Sequence, residues 1–195
     1  MYDYFEGTLA EKTPGYAVID VHGVAYFLNI SLNTFSKLPD KDKTFKLYAH
    51  LVVKEDALML YGFAGTDERE LFRQLISVSG VGAGTARMIL SSLNPDEIAE
   101  AIVTGNAPQL QRIKGIGLKT AQRIIIDLKD KLSKELIPHE KGGFVHNTKK
   151  EEALSGLIIL GFHKMVAEKA LNKVIETKGS ALSVEELIRN ALKIL

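Results

Sequence analysis

The sequence predicts an α+β chain of several domains: an N-terminal five-stranded barrel, a central helical domain built on a repeat, and a C-terminal three-helix bundle. Three observations lead there. Residues 1 to about 63 run in short segments with strand periodicity, and residues from 64 onward switch to helical spacing. Gly80-Val81-Gly82-Ala83-Gly84-Thr85-Ala86 recurs 35 positions later as Gly115-Ile116-Gly117-Leu118-Lys119-Thr120-Ala121. Between about Ser133 and Lys150 the periodicity fades, and it resumes as short amphipathic helices. The chain is thus divided into 1–63, 64–142, a flexible linker 143–150, and 151–195.

In the first segment, Tyr16–Val21 and Val24–Ile30 flank His22-Gly23, a two-residue turn of hairpin type. Phe45 to Val53 follows a Pro39-Asp40 loop, and Ala57 to Phe63 closes the run. Five short strands in some sixty residues suit a small closed barrel of the OB-fold type. The aromatic residues Phe5, Tyr16, Tyr26, Phe27, Phe35 and Tyr48 alternate, so most are expected in its core.

The second segment opens with Thr66 or Asp67 as a helix cap, followed by Leu71, Phe72, Leu75, Ile76 and Val78 at helical spacing. Asn94-Pro95-Asp96-Glu97 places Asn at N-cap, Pro at N1 and Glu at N3. Gly105-Asn106 ends that helix, and Ala107-Pro108 opens the next. Each copy of the repeat has an apolar residue two positions before its first glycine, Val78 and Ile113. Glycine accepts positive φ without steric cost, so glycine–apolar–glycine between helices reads as a tight hairpin. The amides of such a hairpin and of the helix N-terminus after it suit an anion such as phosphate. Two related hairpins are placed to hold two phosphates of one nucleic-acid backbone. A nucleotide-binding loop is a poor fit. A P-loop needs Gly directly before Lys-Thr, where Leu118 stands, and it follows a strand rather than a helix.

In the third segment, Glu151 to Leu160 ends at Gly161, and Lys164 to Glu176 ends before Gly179. Ser183-Val184-Glu185-Glu186 is a capping box, and Val184, Leu187, Ile188, Ala191, Leu192 and Leu195 form one stripe. A bundle this small more often binds another protein than performs chemistry.

Composition narrows the function. There is no Cys, which removes disulfides, thiolate metal sites and cysteine nucleophiles. The five histidines show no metal-ligand spacing, the acids do not converge, and no cofactor is called for. No apolar span long enough for a membrane helix appears, so a cytoplasmic protein without membrane association is expected. Net charge is +1; the segments 1–63, 64–132 and 133–195 carry −2, +1 and +2. Nucleic-acid binding would then rest on local charge and amides, not on a bulk positive field.

Barrel, tandem hairpins, linker and bundle, in that order, resemble the RuvA family of Holliday-junction recognition subunits in bacterial branch migration. The resemblance spans essentially the whole chain. It is sharpest in His50-Leu51-Val52-Val53-Lys54-Glu55-Asp56-Ala57 leading to Leu60-Tyr61-Gly62-Phe63, and in the second hairpin through Arg123. It implies a non-catalytic scaffold for four-way junction DNA in recombination and repair. That scaffold would be a homotetramer, singly or paired as an octamer, serving the hexameric RuvB ATPase with the RuvC resolvase as a further partner. By the same resemblance, Glu55 and Asp56 form an acidic pin near the four-fold centre. Gly80, Val81, Gly82, Gly84, Thr85, Gly115, Ile116, Gly117, Lys119, Thr120 and Arg123 contact DNA, and Leu157, Leu160, Phe162 and Met165 dock the motor. Alone, Glu55-Asp56 reads as a solvated turn, and Lys119 with Arg123, four apart, as a solvated helical face.

The chain departs from the family pattern twice. The first hairpin often has Pro-Lys where Ala83-Gly84 stands, and the second often has Lys where Leu118 stands. Arg87, Arg112 and Lys114 are candidate replacements, each also readable as ordinary surface charge. The alternatives from other classes are a hairpin-bearing glycosylase or nuclease, and a scaffold whose barrel binds single strands by aromatic stacking.

Overall fold

In the computed structural model, residues 2–136, 145–179 and 182–195 are described. The chain divides into two compact units, Met1–Ile137 and Pro138–Leu195.

The first unit begins with strands β1 (Tyr4–Lys12), β2 (Tyr16–Val21) and β3 (Val24–Ile30), helix α1 (Leu32–Lys37), and strands β4 (Thr44–Val53) and β5 (Leu58–Phe63). The strands close into a barrel in the order β1-β2-β3-β5-β4, with β4 returning to β1 and only β3–β5 parallel. This is the expected five-stranded barrel. Closure removes every free edge. The turn at His22-Gly23 has positive φ at both residues, 53° and 89°, as a two-residue hairpin requires. A β-bulge between Leu9 and Glu11 bends β1 so that it serves both neighbours. Gly7 lets β1 pass close to β2: a Cβ there would overlap the Asp20 carbonyl. Phe5, Leu9, Ala17, Ile19, Leu28, Ile30, Leu47 and Ala49 fill the interior, joined by Tyr26 and Phe35 at its margin.

Helix α1 is the element that sequence reading missed. Only six residues long, it shows no full apolar period. Its start is nonetheless marked by Ser31, whose hydroxyl accepts from the Thr34 amide at 2.9 Å.

The helical part holds α2 (Thr66–Ser77), α3 (Ala83–Ser92), α4 (Pro95–Val103), α5 (Ala107–Gln111) and α6 (Leu118–Leu136). Asn94 and Glu97 form the expected capping box, with bonds of 2.9 and 2.8 Å. Gly105 turns the chain with φ 73°, and Asn106 caps α5. The first cap differs from expectation. Gly65 occupies the N-cap of α2 and gives no side-chain bond, and Thr66 and Asp67 lie within the first turn.

Barrel and helices meet through a second core, which β5 contributes to from its outer face. Tyr61 and Phe63 of β5 point away from the barrel core and meet Phe72 of α2, with ring centroids 4.9 and 5.0 Å apart. Beside this apolar contact runs a buried polar seam. Glu68 of α2 is 2% exposed, and its carboxyl group accepts from the hydroxyls of Ser31 and, at 2.8 Å, Thr34. Thr34 Oγ1 in turn accepts from the Ala64 amide at 3.1 Å. The Asn33 carboxamide donates to the carbonyls of Leu90 and Leu93 at 2.6 and 2.8 Å, satisfying groups that the end of α3 leaves unpaired. Arg69 reaches the carbonyl and side chain of Asp3 at 2.9 and 2.5 Å and lies over the Tyr48 ring. Arg73 donates to His50 Nδ1 at 3.4 Å, and burial, then Arg73 and Arg69, hold the imidazole below its ordinary pKa.

In the second unit, α7 (Val145–Ile159), α8 (Lys164–Lys178) and α9 (Val184–Ala191) pack around Ala153, Leu157, Ala167, Leu171, Val174 and Leu187. Ser183 and Glu186 form the expected capping box. Gly161 and Gly179 end their helices with φ 97° and 83°. Two expectations need correction. Positions 145–150, read as linker, already belong to α7: its lysines and glutamates favour helix without drawing an apolar stripe. Residues 143 and 144 of that linker, with Pro138, lie outside the described residues. Leu192 and Leu195 leave the expected stripe and stand 43% and 38% exposed, because α9 ends at Ala191 and the chain turns.

Replacing Glu68 with Ala leaves the Ser31 and Thr34 hydroxyls buried without their acceptor, at a cost of about 2 kcal/mol. Urea denaturation is expected to show a lower midpoint at unchanged slope for Glu68→Ala, with a smaller loss for Glu68→Gln, which keeps an acceptor oxygen. An unchanged midpoint for the alanine variant contradicts the assignment.

Candidate nucleic-acid interface

The two repeats fold into near-identical hairpins. Gly80 and Gly115 both have φ 90°, a conformation that a Cβ makes costly. The turn before each glycine closes in the same way: the Val78 amide donates to Leu75 O at 3.1 Å, and the Ile113 amide to Leu110 O at 3.2 Å. The turn across each glycine repeats as well, Val81 N to Val78 O at 3.0 Å and Ile116 N to Ile113 O at 3.1 Å. Each outgoing helix then starts alike, with Ala86 N on Gly82 O and Ala121 N on Gly117 O, both at 2.9 Å.

Apolar side chains set these turns. Val78, Val81, Ile113 and Ile116 are each at most 5% exposed and join the helical core. Val81 and Ile116 therefore anchor the hairpins from inside, and their amides are used within the turn. The surface is left to Gly80, Gly82, Gly84, Gly115 and Gly117, all exposed, with Thr85 and Thr120 half-buried. Nothing lies within 4 Å of a Cβ built on any of these five glycines. Gly82, the N-cap of α3, has no side chain to cap with, so the first amides of that helix face outward without a side-chain acceptor.

Lys119 and Arg123 are exposed on α6, and among the described residues neither is in a salt bridge. Of the three replacement cations, Arg112 and Lys114 are exposed beside the second hairpin. Arg87 is not available: its guanidinium donates to Gly15 O and Asn29 Oδ1 of the barrel, at 3.1 and 3.2 Å. Leu118, where a cation was expected by resemblance, is 52% exposed at the start of α6.

Glu55 and Asp56 sit at the exposed tip of the β4–β5 turn, which the Lys54 amide closes on Ala57 O at 2.8 Å. The flanking Val53 and Leu58 are 67% and 73% exposed. Among the described residues no cation pairs with either acid.

Three family models match the chain: RuvA N terminal domain over residues 1–62, SAM-like helix-hairpin-helix tandem over 72–130, and RuvA C-terminal domain over 148–195. A curated relative from Christiangramia forsetii is 51% identical over 193 residues, 99% of both chains. The chain belongs to the RuvA family. Relatives from Flavobacterium psychrophilum, 49% identical, and Cytophaga hutchinsonii, 46% identical, likewise cover 99% of each chain. All three relatives are named Holliday junction branch migration complex subunit RuvA. The family's barrel, tandem hairpins and C-terminal helical domain are the three parts that the sequence predicts.

In the C-terminal unit, the four expected motor contacts differ in burial. Leu157 is fully buried and builds the core, and Phe162 packs against that core. Leu160 and Met165 are 59% and 63% exposed, and Ile159, at 83%, is an exposed neighbour that sequence reading passed over.

No helix among the described residues is long and apolar enough to cross a membrane.

The glycines of each hairpin are expected to separate into two kinds. Gly80→Ala and Gly115→Ala force a Cβ onto φ 90° and cost about 1–3 kcal/mol of stability each. Gly82→Ala, at φ −82° in open space, is expected to leave the melting temperature nearly unchanged while weakening DNA binding. Calorimetry with DNA titration checks both; equal stability losses at Gly80 and Gly82 contradict the division.

Proposed function

We propose that this chain is a non-catalytic DNA-binding subunit that holds a four-way junction open and recruits a separate motor for branch migration in recombination and repair. The observation that carries the reading is the pair of matching hairpins, each with a glycine at φ 90° and outward amides at the following helix. Such a pair grips sugar-phosphate backbone without reading base edges, so recognition follows DNA shape. The amides near Gly80, Gly82, Gly115 and Gly117 take the phosphates, and Lys119 and Arg123 add direct charge.

Four copies assembled around the junction bring their Glu55-Asp56 turns together at the crossover. Unit charges 4 Å apart repel by about 1 kcal/mol in water and about 4 at an effective dielectric of 20. Carboxylates gathered there push phosphates outward and favour separation of the strands. The exposed apolar groups Ile159, Leu160 and Met165 of the C-terminal unit form the face for the RuvB ATPase, to which the energy-consuming chemistry belongs. Pairing of two tetramers, and access by the RuvC resolvase, belong to the same reading, as does a cytoplasmic location.

The test is competition between a synthetic four-way junction, equal-length duplex and single strand, with the mass of the complex measured in parallel. Strong preference for the junction in a complex of four or eight subunits is expected. Lys119→Ala with Arg123→Ala should weaken binding to all sequences alike, and Glu55→Gln with Asp56→Asn should erode preference for the junction over duplex. Equal binding of the three DNAs by a stable monomer would sink the reading; preference for single strand would favour stacking on exposed Phe27 and half-buried Tyr16, whose rings lie 4.6 Å apart.

A further inference from the structure

The two hairpins match in backbone and differ in charge. With the repeat aligned at its period of 35, Ser77 corresponds to Arg112, Ser79 to Lys114, Gly84 to Lys119 and Met88 to Arg123. Every cation of the second copy stands against an uncharged residue in the first. All four of these cations are exposed, and among the described residues none is in a salt bridge. The first copy has one cation of its own, Arg87, and the barrel holds it through Gly15 O and Asn29 Oδ1. Ser77 is engaged too, its hydroxyl donating to Gln74 O at 2.6 Å. The first hairpin thus offers backbone amides and nothing charged, whereas the second offers amides with four free cations around them.

We propose that the hairpins divide the grip on DNA: the second neutralises phosphates through Arg112, Lys114, Lys119 and Arg123, and the first holds its phosphate by amides alone. The inference rests on the nucleic-acid reading above and assigns Arg112 and Lys114 to the interface. Its consequence is a difference in salt response. Charge neutralisation releases condensed counter-ions and gives binding its dependence on salt, whereas a neutral amide donor positions a phosphate without that release. The salt dependence of DNA binding then comes from the second hairpin.

Fluorescence anisotropy of the full chain on a labelled four-way junction and on plain duplex, between roughly 50 and 200 mM salt, reads this directly as the slope of log affinity against log salt. Two lost phosphate contacts should make the slope of Arg112→Gln with Lys114→Gln shallower by about 1.8 per bound subunit. Swapping the same positions as Arg112→Lys with Lys114→Arg should keep the slope, which misfolding of the hairpin would not. Ser77→Ala with Ser79→Ala should leave it unchanged. A slope equal to wild type in the glutamine variant, or a flattened slope in the serine-to-alanine variant, overturns the division. The two readings fail separately. Junction preference with unaltered slopes removes only the division of labour, while a flattened slope without junction preference keeps the division and removes the junction reading. Binding to neither DNA removes both.

Discussion

Much of the first unit depends on a carboxyl group finding donors where water does not reach. Glu68 lies between α2 and the barrel, and the hydroxyls of Ser31 and Thr34 satisfy it. A buried polar group without partners costs more than its bonds return, so this arrangement is stable only when α1 and α2 occupy one relative position. The Asn33 carboxamide fixes the far end of α3 in the same way, through Leu90 O and Leu93 O. The first hairpin lies between these two helices. It is thereby referenced to the barrel, and so to the acidic turn at Glu55 and Asp56.

The second hairpin inherits that frame through the shared apolar core of α4, α5 and α6, where Ile98, Ile102, Leu110, Ile124 and Leu128 are buried. Its geometry copies the first because the same device builds both. An apolar residue on either side of a positive-φ glycine pins the turn inward, and the glycine surface outside has no side chains to keep a phosphate away. Rigid amides at fixed spacing favour shape over sequence. Freed of geometric duty, the charges around each hairpin differ, Arg87 having been drawn into the barrel contact.

Legibility in the sequence followed the strength of local signals. The hairpins, the Asn94 and Ser183 capping boxes and the His22-Gly23 turn each rest on a few adjacent residues whose chemistry admits few conformations, and all are found. Helix α1 was too short to show a period, and the first residues of α7, Val145 to Lys150, carry no apolar stripe. The seam was invisible for another reason. Glu68 sits in a run of Asp67, Glu68, Arg69 and Glu70 that reads as a solvated first turn, and nothing local distinguishes the one acid that is buried from its exposed neighbours. Leu157 and Leu160 are likewise indistinguishable as apolar residues three apart; packing alone makes one core and the other surface.

Grip without base reading is the centre of this account, and hydroxyl-radical footprinting on a four-way junction tests it most directly. Arms of four different sequences are compared, then exchanged around the same crossover. The account predicts equal backbone protection on all four arms, at positions set by distance from the crossover and unmoved when the sequences are exchanged. Protection that travels with one sequence to a new arm would contradict it.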